Sequence, residues 1–315
     1  MSTKISLQAT VPENLSGKRL DQIAAHLFPD FSRGRIQTWI KDEVLLVNDE
    51  VLRSKDKAFE GDVLSLDTEL VEEETWEAEQ KEIDIVYEDE DIIVLNKAID
   101  TVVHPAVGNR SGTLLNGLLH HCPELKEIPR AGIVHRLDKD TSGLMVVAKT
   151  LQAHRDLVKQ LQRREVSREY EAIVVGVMTA GGTIDLPLGR HPVNRQRQAV
   201  VEGGKESVTH YRVLNRYRAH THVLVKLETG RTHQIRVHMS HMRYPLVGDS
   251  LYGGRLQLPK ACSGALAKEL KSFKHQALHA RRLGLIHPRT GEECQWESPL
   301  PEDMTSLLRV LAEDM

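Results

Sequence analysis

An acidic stretch without periodicity, about a quarter of the way along the chain, limits the architecture more than any other feature. From Thr68 to Glu82 glutamate dominates, and no apolar residue recurs at the spacing of a helix or a strand. Such a segment has no face to bury, so it reads as a linker. It divides the 315 residues into a small leading module, 15–67, and a large trailing domain, 83–315, with 68–82 between them. Both pieces fall within the usual range of domain sizes, the first near its lower end.

The same region hides the charge character of the rest. Residues 60–91 hold 15 Asp or Glu against one basic residue, Lys81, a local charge of −14; with an overall charge of −3, the remainder carries +11. A basic remainder is compatible with a polyanionic partner, because Lys and Arg neutralise phosphates and release counterions. By itself an acidic run is ordinarily just a solvated linker. The 40% hydrophobic and 28% charged content is that of a folded protein and excludes wholesale disorder. No apolar run approaches the roughly 18 residues of a membrane span, and residues 1–30 lack a basic start followed by an apolar run. A cytoplasmic protein is expected. Cys122, Cys262 and Cys294 are far apart with no C-x-x-C pair, which predicts reduced thiols and no thiolate zinc site.

Within the leading module, helical patterns run over Arg19–Leu27 and Ser32–Lys41, with Ser32 as the expected N-cap. Strands are expected at Val44–Val47 and Asp62–Leu66, with turns at Asn48-Asp49 and Glu60-Gly61-Asp62. Trp39 is expected in the core of the second helix. Beyond the linker, Ile83–Tyr87 and Ile92–Asn96 flank Glu88–Asp91 as a hairpin. Further strands are expected at Leu144–Ala148, Glu169–Gly176, Ser207–Leu214, Val223–Glu228 and Ala280–Ile286. Helices are expected near Thr113–His121, Leu151–Arg164, His233–His241 and Glu302–Ala312. Without regular β-α-β spacing, this interleaving predicts an α+β domain whose mixed, mostly antiparallel sheet is flanked by helices.

Two segments concentrate polar residues where chemistry could occur. Gly132–Lys149 places a polar island between apolar runs, the pattern of strand, exposed loop, strand, and Asp138 lies in that loop. Locally, Asp138 could equally be a turn residue bonding its own backbone. In Leu227–His238 a strand passes through Gly230 into a helix, and Arg231 follows the turn. From there it is expected to reach across the sheet, bind a carboxylate with its planar fork and keep that carboxylate ionised. His220, His222, His233, His238 and His241 cluster nearby, but no H-E-x-x-H pattern or suitably spaced carboxylate accompanies them. Core or surface histidines are expected rather than a metal site. There is no Walker loop and no G-x-G-x-x-G at a strand-to-helix turn, so no nucleotide cofactor is expected.

Three motifs together are far more specific than any one of them. H-R-L-D-K-D-T-S-G at 135–143, R-E-Y at 168–170 and T-G-R-T-H-Q-I-R-V-H at 229–238 resemble, in order and spacing, the signature motifs of the large-subunit ribosomal pseudouridine synthase family. S-R-G-R-I at 32–36 and V-L-L-V-N at 44–48 resemble the alpha-L RNA-binding module that precedes this catalytic domain in many members. The middle motif often begins with Lys where this chain has Arg168, which keeps the charge.

The resemblance implies a cofactor-free, metal-free isomerase that turns uridine into pseudouridine. It assigns Asp138 as the catalytic carboxylate, Arg231 as the residue that holds it, and Tyr170 as the aromatic that stacks on uracil and helps remove the C5 proton. It also implies Arg136 filling the gap left by a flipped base, His135 and Thr141 at the substrate, and Arg33, Arg35 and Lys41 on RNA. The implied partner is ribosomal RNA or the large-subunit precursor, bound by a monomer. The implied target is the clustered uridines of the intersubunit stem-loop in 23S RNA, with a role in subunit maturation. Three alternatives remain open at this point: the same chemistry on another ribosomal or transfer RNA uridine, a non-catalytic RNA-binding protein, and a hydrolase that releases free base.

Overall fold

The computed structural model describes residues 3–29, 31, 33–70, 76–105 and 109–314. The chain divides into two compact units, 1–75 and 76–315.

The first unit is a three-stranded antiparallel sheet, β1 (Thr3–Thr10), β2 (Leu45–Val47) and β3 (Val63–Leu70) in the order β1-β3-β2, with helices α1 (Leu20–Leu27) and α2 (Arg33–Lys41). In α1, Leu20, Ile23 and Ala24 recur at helical spacing and are buried; Ile36, Trp39 and Ile40 do the same in α2. These two stripes meet Leu45, Leu64 and Leu66 from the sheet in one core. Trp39 is a core residue, packed edge-on against Phe31 at 4.8 Å. β1 extends the sheet beyond the expected start at residue 15, a strand that the linker-based division leaves out. Asn48 and Asp49 form the tight turn after β2, both with positive φ, which Asn and Asp tolerate better than other side chains. The expected N-cap, Ser32, and part of the expected linker, 71–75, lie outside the described residues.

The second unit carries a nine-stranded sheet. Its strands are β4 (Asp84–Glu88), β5 (Ile92–Lys97), β6 (Ser142–Ala148), β7 (Ser167–Val175) and β8 (Gly182–Asp185), then β11 (Val208–Arg216), β12 (His220–Leu227), β13 (Leu278–Ile286) and β14 (Glu293–Glu297). The spatial order is β4-β5-β6-β13-β7-β12-β11-β8, with β14 paired to β13. A separate hairpin joins β9 (Leu188–Arg190) and β10 (Gln198–Val200). Helices α3 (Leu114–His121), α4 (Leu151–Gln162), α5 (Gln234–His241), α6 (Gly264–Ser272) and α7 (Glu302–Glu313) complete the unit. Every pairing is antiparallel except β6 with β13, so the sheet is mixed and mostly antiparallel, as the sequence predicts.

The parallel pair positions the Asp138 loop. Gly143 lies opposite Ala280, Ala280 opposite Tyr170, and Tyr170 opposite Val225, one row running across four strands. Gly143 has φ 113°, and a Cβ there would overlap the backbone of Ala280. At the other end of the loop, Gly132 has φ 76° and a Cβ would overlap the carbonyl of Ala148. Glycine is thus required at both ends of the loop. Gly143→Ala is expected to destabilise the protein by about 2 kcal/mol or more, measured by urea unfolding, because strain and overlap coincide. An unchanged midpoint would contradict this packing.

Buried histidines couple stability to pH. His220 and His279 are each pushed down to about 4 by burial. Each stays neutral in the fold while its unfolded counterpart takes up a proton below the ordinary value near 6.5. The stability they contribute is therefore complete above that ordinary value and is lost as pH falls toward the depressed one. Urea unfolding between pH 7 and 5 is expected to show declining stability, with a shallower decline in His279→Asn. Equal slopes in the two proteins would contradict the assignment.

Candidate active site

The loop from Val134 to Thr141 is pinned at several points. His135 Nε2 accepts the backbone N–H of Val146 at 3.1 Å. Burial, followed by the charge of Arg168, pushes this ring down to about 3, so it is neutral and able to accept. The Thr141 N–H closes a turn onto the Asp138 carbonyl at 3.1 Å, and Thr141 Oγ1 accepts from Gln276 Nε2 at 3.0 Å. Both of these expected substrate-binding residues therefore have structural bonds that hold the loop. Lys97, 2% exposed, donates to the carbonyls of Ala98, Thr101 and Lys139 at 2.8, 3.1 and 2.9 Å. Burial pulls its pKa down to about 8 against the opposing charges of Asp140 and Asp138. One ammonium thus ties the residue after Asp138 to the loop after β5, a role that no sequence pattern had suggested.

Asp138 is partnered by Arg236, not by Arg231. Arg236 Nη1 donates to Asp138 Oδ2 at 3.0 Å, while Nε and Nη2 grip Asp249 at 2.7 and 3.0 Å. Arg231 is exposed, and its Nε donates to the Glu206 carbonyl at 3.0 Å. The cause is position relative to the helix start. Arg231 lies in the turn outside α5, whereas Gln234 to Met239 are all buried in the helix, which carries Arg236 inward. A charged side chain within six consecutive buried residues has to be paired. Burial works against the Arg236 charge, yet its bonds to Asp249 and the charge of Asp138 raise its pKa above the ordinary arginine value.

The remaining oxygen, Asp138 Oδ1, faces His233 Nε2 at 3.9 Å, beyond hydrogen-bond distance. Tyr170 projects from β7 and is 6% exposed. Burial raises its phenol pKa, Arg168 opposes this and Asp138 adds to it, so the ring is a neutral phenol at neutral pH. That suits stacking on a base better than taking a proton. Arg168, in the same strand, donates to the Glu228 carbonyl at 3.2 Å and packs where a Cβ on Gly230 would clash. The middle motif thereby holds the turn that leads into α5. Arg136 is exposed and makes no ion pair among the described residues.

The other expected RNA contacts lie in the first unit. Arg33 bonds the fully buried Asp21 at 2.7 Å, which Arg19 and Gln37 also bond. Arg35 lies over the Trp39 ring at 5.9 Å, and Lys41 is exposed at the end of α2.

Of the clustered histidines, His238 bonds Thr209 and Leu186, His222 bonds Glu171, and His233 faces Asp138. Among the described residues the one grouping with metal-ligand spacing is Asp89, Asp91 and His287. Its carboxylates are taken by backbone N–H groups, Tyr87, His287 and Arg289, and it sits at the opposite end of β5 from Lys97.

Residues 91–241 match the family described as RNA pseudouridylate synthase. Ribosomal large subunit pseudouridine synthase D of Pseudomonas aeruginosa is 60% identical over 314 residues, 100% of this chain and 98% of that protein. Its namesake from Escherichia coli K12 is 53% identical over 315 residues, 100% of this chain and 97% of that protein. Human RNA pseudouridylate synthase domain containing 4 superposes with TM-score 0.54 at 26% identity, covering 73% of this chain and 93% of that one. With full-length relatives above half identity, the chain belongs to the RNA pseudouridine synthase family and is an isomerase that makes pseudouridine.

Proposed function

We propose that this enzyme modifies 23S ribosomal RNA, acting on the clustered uridines of the intersubunit stem-loop during large-subunit maturation, with Asp138 as its catalytic carboxylate. The observation that carries the chemical part is the division of labour on that carboxylate: Arg236 occupies Oδ2 and leaves Oδ1 open. The full-length relatives named for the ribosomal large subunit support the choice of RNA.

The isomerisation breaks N1–C1′, turns the uracil, forms C5–C1′ and moves one proton from C5 to N1. Atoms balance without redox chemistry or an activating phosphate. Asp138 Oδ1 serves either route to glycosidic cleavage, attack at C1′ or removal of the C2′ proton to give a glycal. Arg236 fixes the carboxylate in place and in charge. Tyr170 stacks on the detached uracil and keeps it close while it turns. A uridine inside structured RNA has to leave its stack first. Arg136, exposed two residues before Asp138, fills the vacated place with its planar guanidinium.

Phosphate contacts come from Arg35 and Lys41 in the first unit, with Arg33 divided between RNA and the Asp21 pair that organises that unit. Exposed Arg163, Arg190 and Arg195 add contacts in the second. Such contacts position RNA without reading its sequence. The enzyme works as a cytoplasmic monomer. No helix among the described residues is long and apolar enough to cross a membrane.

Mapping pseudouridines across ribosomal and transfer RNA in cells that carry parent enzyme, no enzyme or Asp138→Asn tests target and residue together. The stem-loop pseudouridines are expected to vanish in the last two, with RNA binding retained by Asp138→Asn. Modification intact in that variant, or free uracil released by the parent enzyme, contradicts the assignment.

The two arginines separate in kinetics. Arg236→Lys keeps a charge but loses the fork, and is expected to lower kcat about 100-fold. Arg231→Ala is expected to change kcat less than about threefold and to raise KM in a salt-dependent way. The reverse ranking, from single-turnover assays on stem-loop RNA, would restore Arg231 as the partner of Asp138.

A further inference from the structure

His233 immediately precedes α5 and has a left-handed backbone, φ 57°. A β-carbon makes that conformation cost about 1 kcal/mol or more, and it persists where the surroundings impose it. Here the ring is imposed on by Tyr252: Nδ1 lies 2.7 Å from Tyr252 Oη, and the rings meet edge to face at 5.6 Å. Tyr252 is itself tightly held. The guanidiniums of Arg236 and Arg197 lie 5.0 and 5.2 Å from its ring centre, and its Oη accepts the Gln198 N–H at 2.8 Å.

Proton balance at Tyr252 favours one tautomer of His233. Since Gln198 donates to Oη, the phenol proton needs an acceptor of its own. Among the described residues, His233 Nδ1 is the one in place. With Nδ1 as that acceptor, the neutral ring carries its proton on Nε2. The opposite tautomer would strand the phenol proton in a half-enclosed site, at about 1–3 kcal/mol. Burial lowers the pKa of His233, and Asp138 opposes that only in part, in keeping with a neutral ring. The Nε2–H then faces Asp138 Oδ1 at 3.9 Å, the oxygen that Arg236 leaves open.

We propose that His233, fixed as the Nε2–H tautomer by Tyr252, is a positioning residue that aims Asp138 Oδ1 at the ribose of the bound uridine. The separation is about 1 Å longer than a hydrogen bond. At that range the N–H dipole orients the carboxylate without taking up the lone pair that has to act on the sugar. Arg236 fixes one oxygen, His233 steers the other, and Tyr252 touches both residues. This inference rests on the reading of Asp138 as the catalytic carboxylate.

Four variants and stem-loop RNA test it, with kcat and KM measured separately and folding checked by thermal melting. His233→Asn keeps an amide near Tyr252, tolerates the left-handed backbone, and has no donor toward Asp138. It is expected to lower kcat about tenfold with KM within about twofold. His233→Gln places an amide nitrogen where Nε2 was and is expected to recover kcat to within about threefold of the parent. Tyr252→Phe is expected to slow the parent but not His233→Gln, because an amide has no tautomer to fix. The proposal is overturned if His233→Asn matches the parent, if His233→Gln is as slow as His233→Asn, or if Tyr252→Phe slows both backgrounds equally. Asp138→Asn, run alongside, separates the two levels. An active Asp138→Asn removes the reading of Asp138 itself, whereas an inactive one beside an unimpaired His233→Asn removes only the role of His233.

Discussion

One guanidinium organises the site: Arg236 joins Asp138 on one side to Asp249 on the other. An unpaired charge at this depth would be severely unfavourable, and two carboxylates around one arginine make each arrangement depend on the others. Asp249 is fully buried and also accepts the backbone N–H groups of Leu251 and Tyr252, so the arginine is anchored to a turn that is itself held by the same carboxylate. Asp138 is left with one oxygen committed to Arg236 and one without a hydrogen bond among the described residues. The site thus depends on α5 arriving in the right phase, and α5 depends on the Thr229–Gly230 turn that Arg168 braces.

The sheet brings these pieces together although they lie about a hundred residues apart. A parallel pairing between β6 and β13, inside an otherwise antiparallel sheet, brings Gly143 beside Ala280 and Ala280 beside Tyr170. The Asp138 loop leaves that row at one end and is closed at the other by Gly132 against β6. Lys97, at the end of β5, then ties the loop through the Lys139 carbonyl to the segment after β5, whose Ala98 and Thr101 carbonyls it also bonds. Rigid positioning of this kind is how a carboxylate on a loop can act with the accuracy that bond cleavage requires.

Much of this architecture was legible in the sequence, because period and punctuation are local. Ile92–Asn96, Leu144–Ala148 and the α3, α4 and α7 patterns carried their own signals, and the antiparallel character followed from short connections. β1, β8, β9, β10, β14 and α6 were not expected: β8, β9, β10 and β14 are short, and β1, eight residues long, lies ahead of the expected module. The carboxylate-bearing loop was visible as a polar island. Its partner is Arg236 and not the expected Arg231, because Arg231 stops in the exposed turn while Arg236 lies inside the buried helix five positions on. The burial of Arg236 follows from α5 being enclosed on all sides, which no local sequence period reveals. Lys97 had no sequence signal, for its three acceptors are backbone carbonyls of residues whose identity hardly matters. His135 and Thr141 also carry bonds that join the loop to Val146 in β6 and to Gln276.

The central claim is that Asp138, held through Oδ2 by Arg236, presents Oδ1 to the sugar. A crystal structure of Asp138→Asn bound to a stem-loop RNA carrying unmodified uridine measures this directly. The account predicts a uridine turned out of its stack, its base against Tyr170, and its C1′ or C2′ within about 3.5 Å of the side-chain atom replacing Oδ1. A ribose seated elsewhere, with Arg236 still on residue 138, would contradict it.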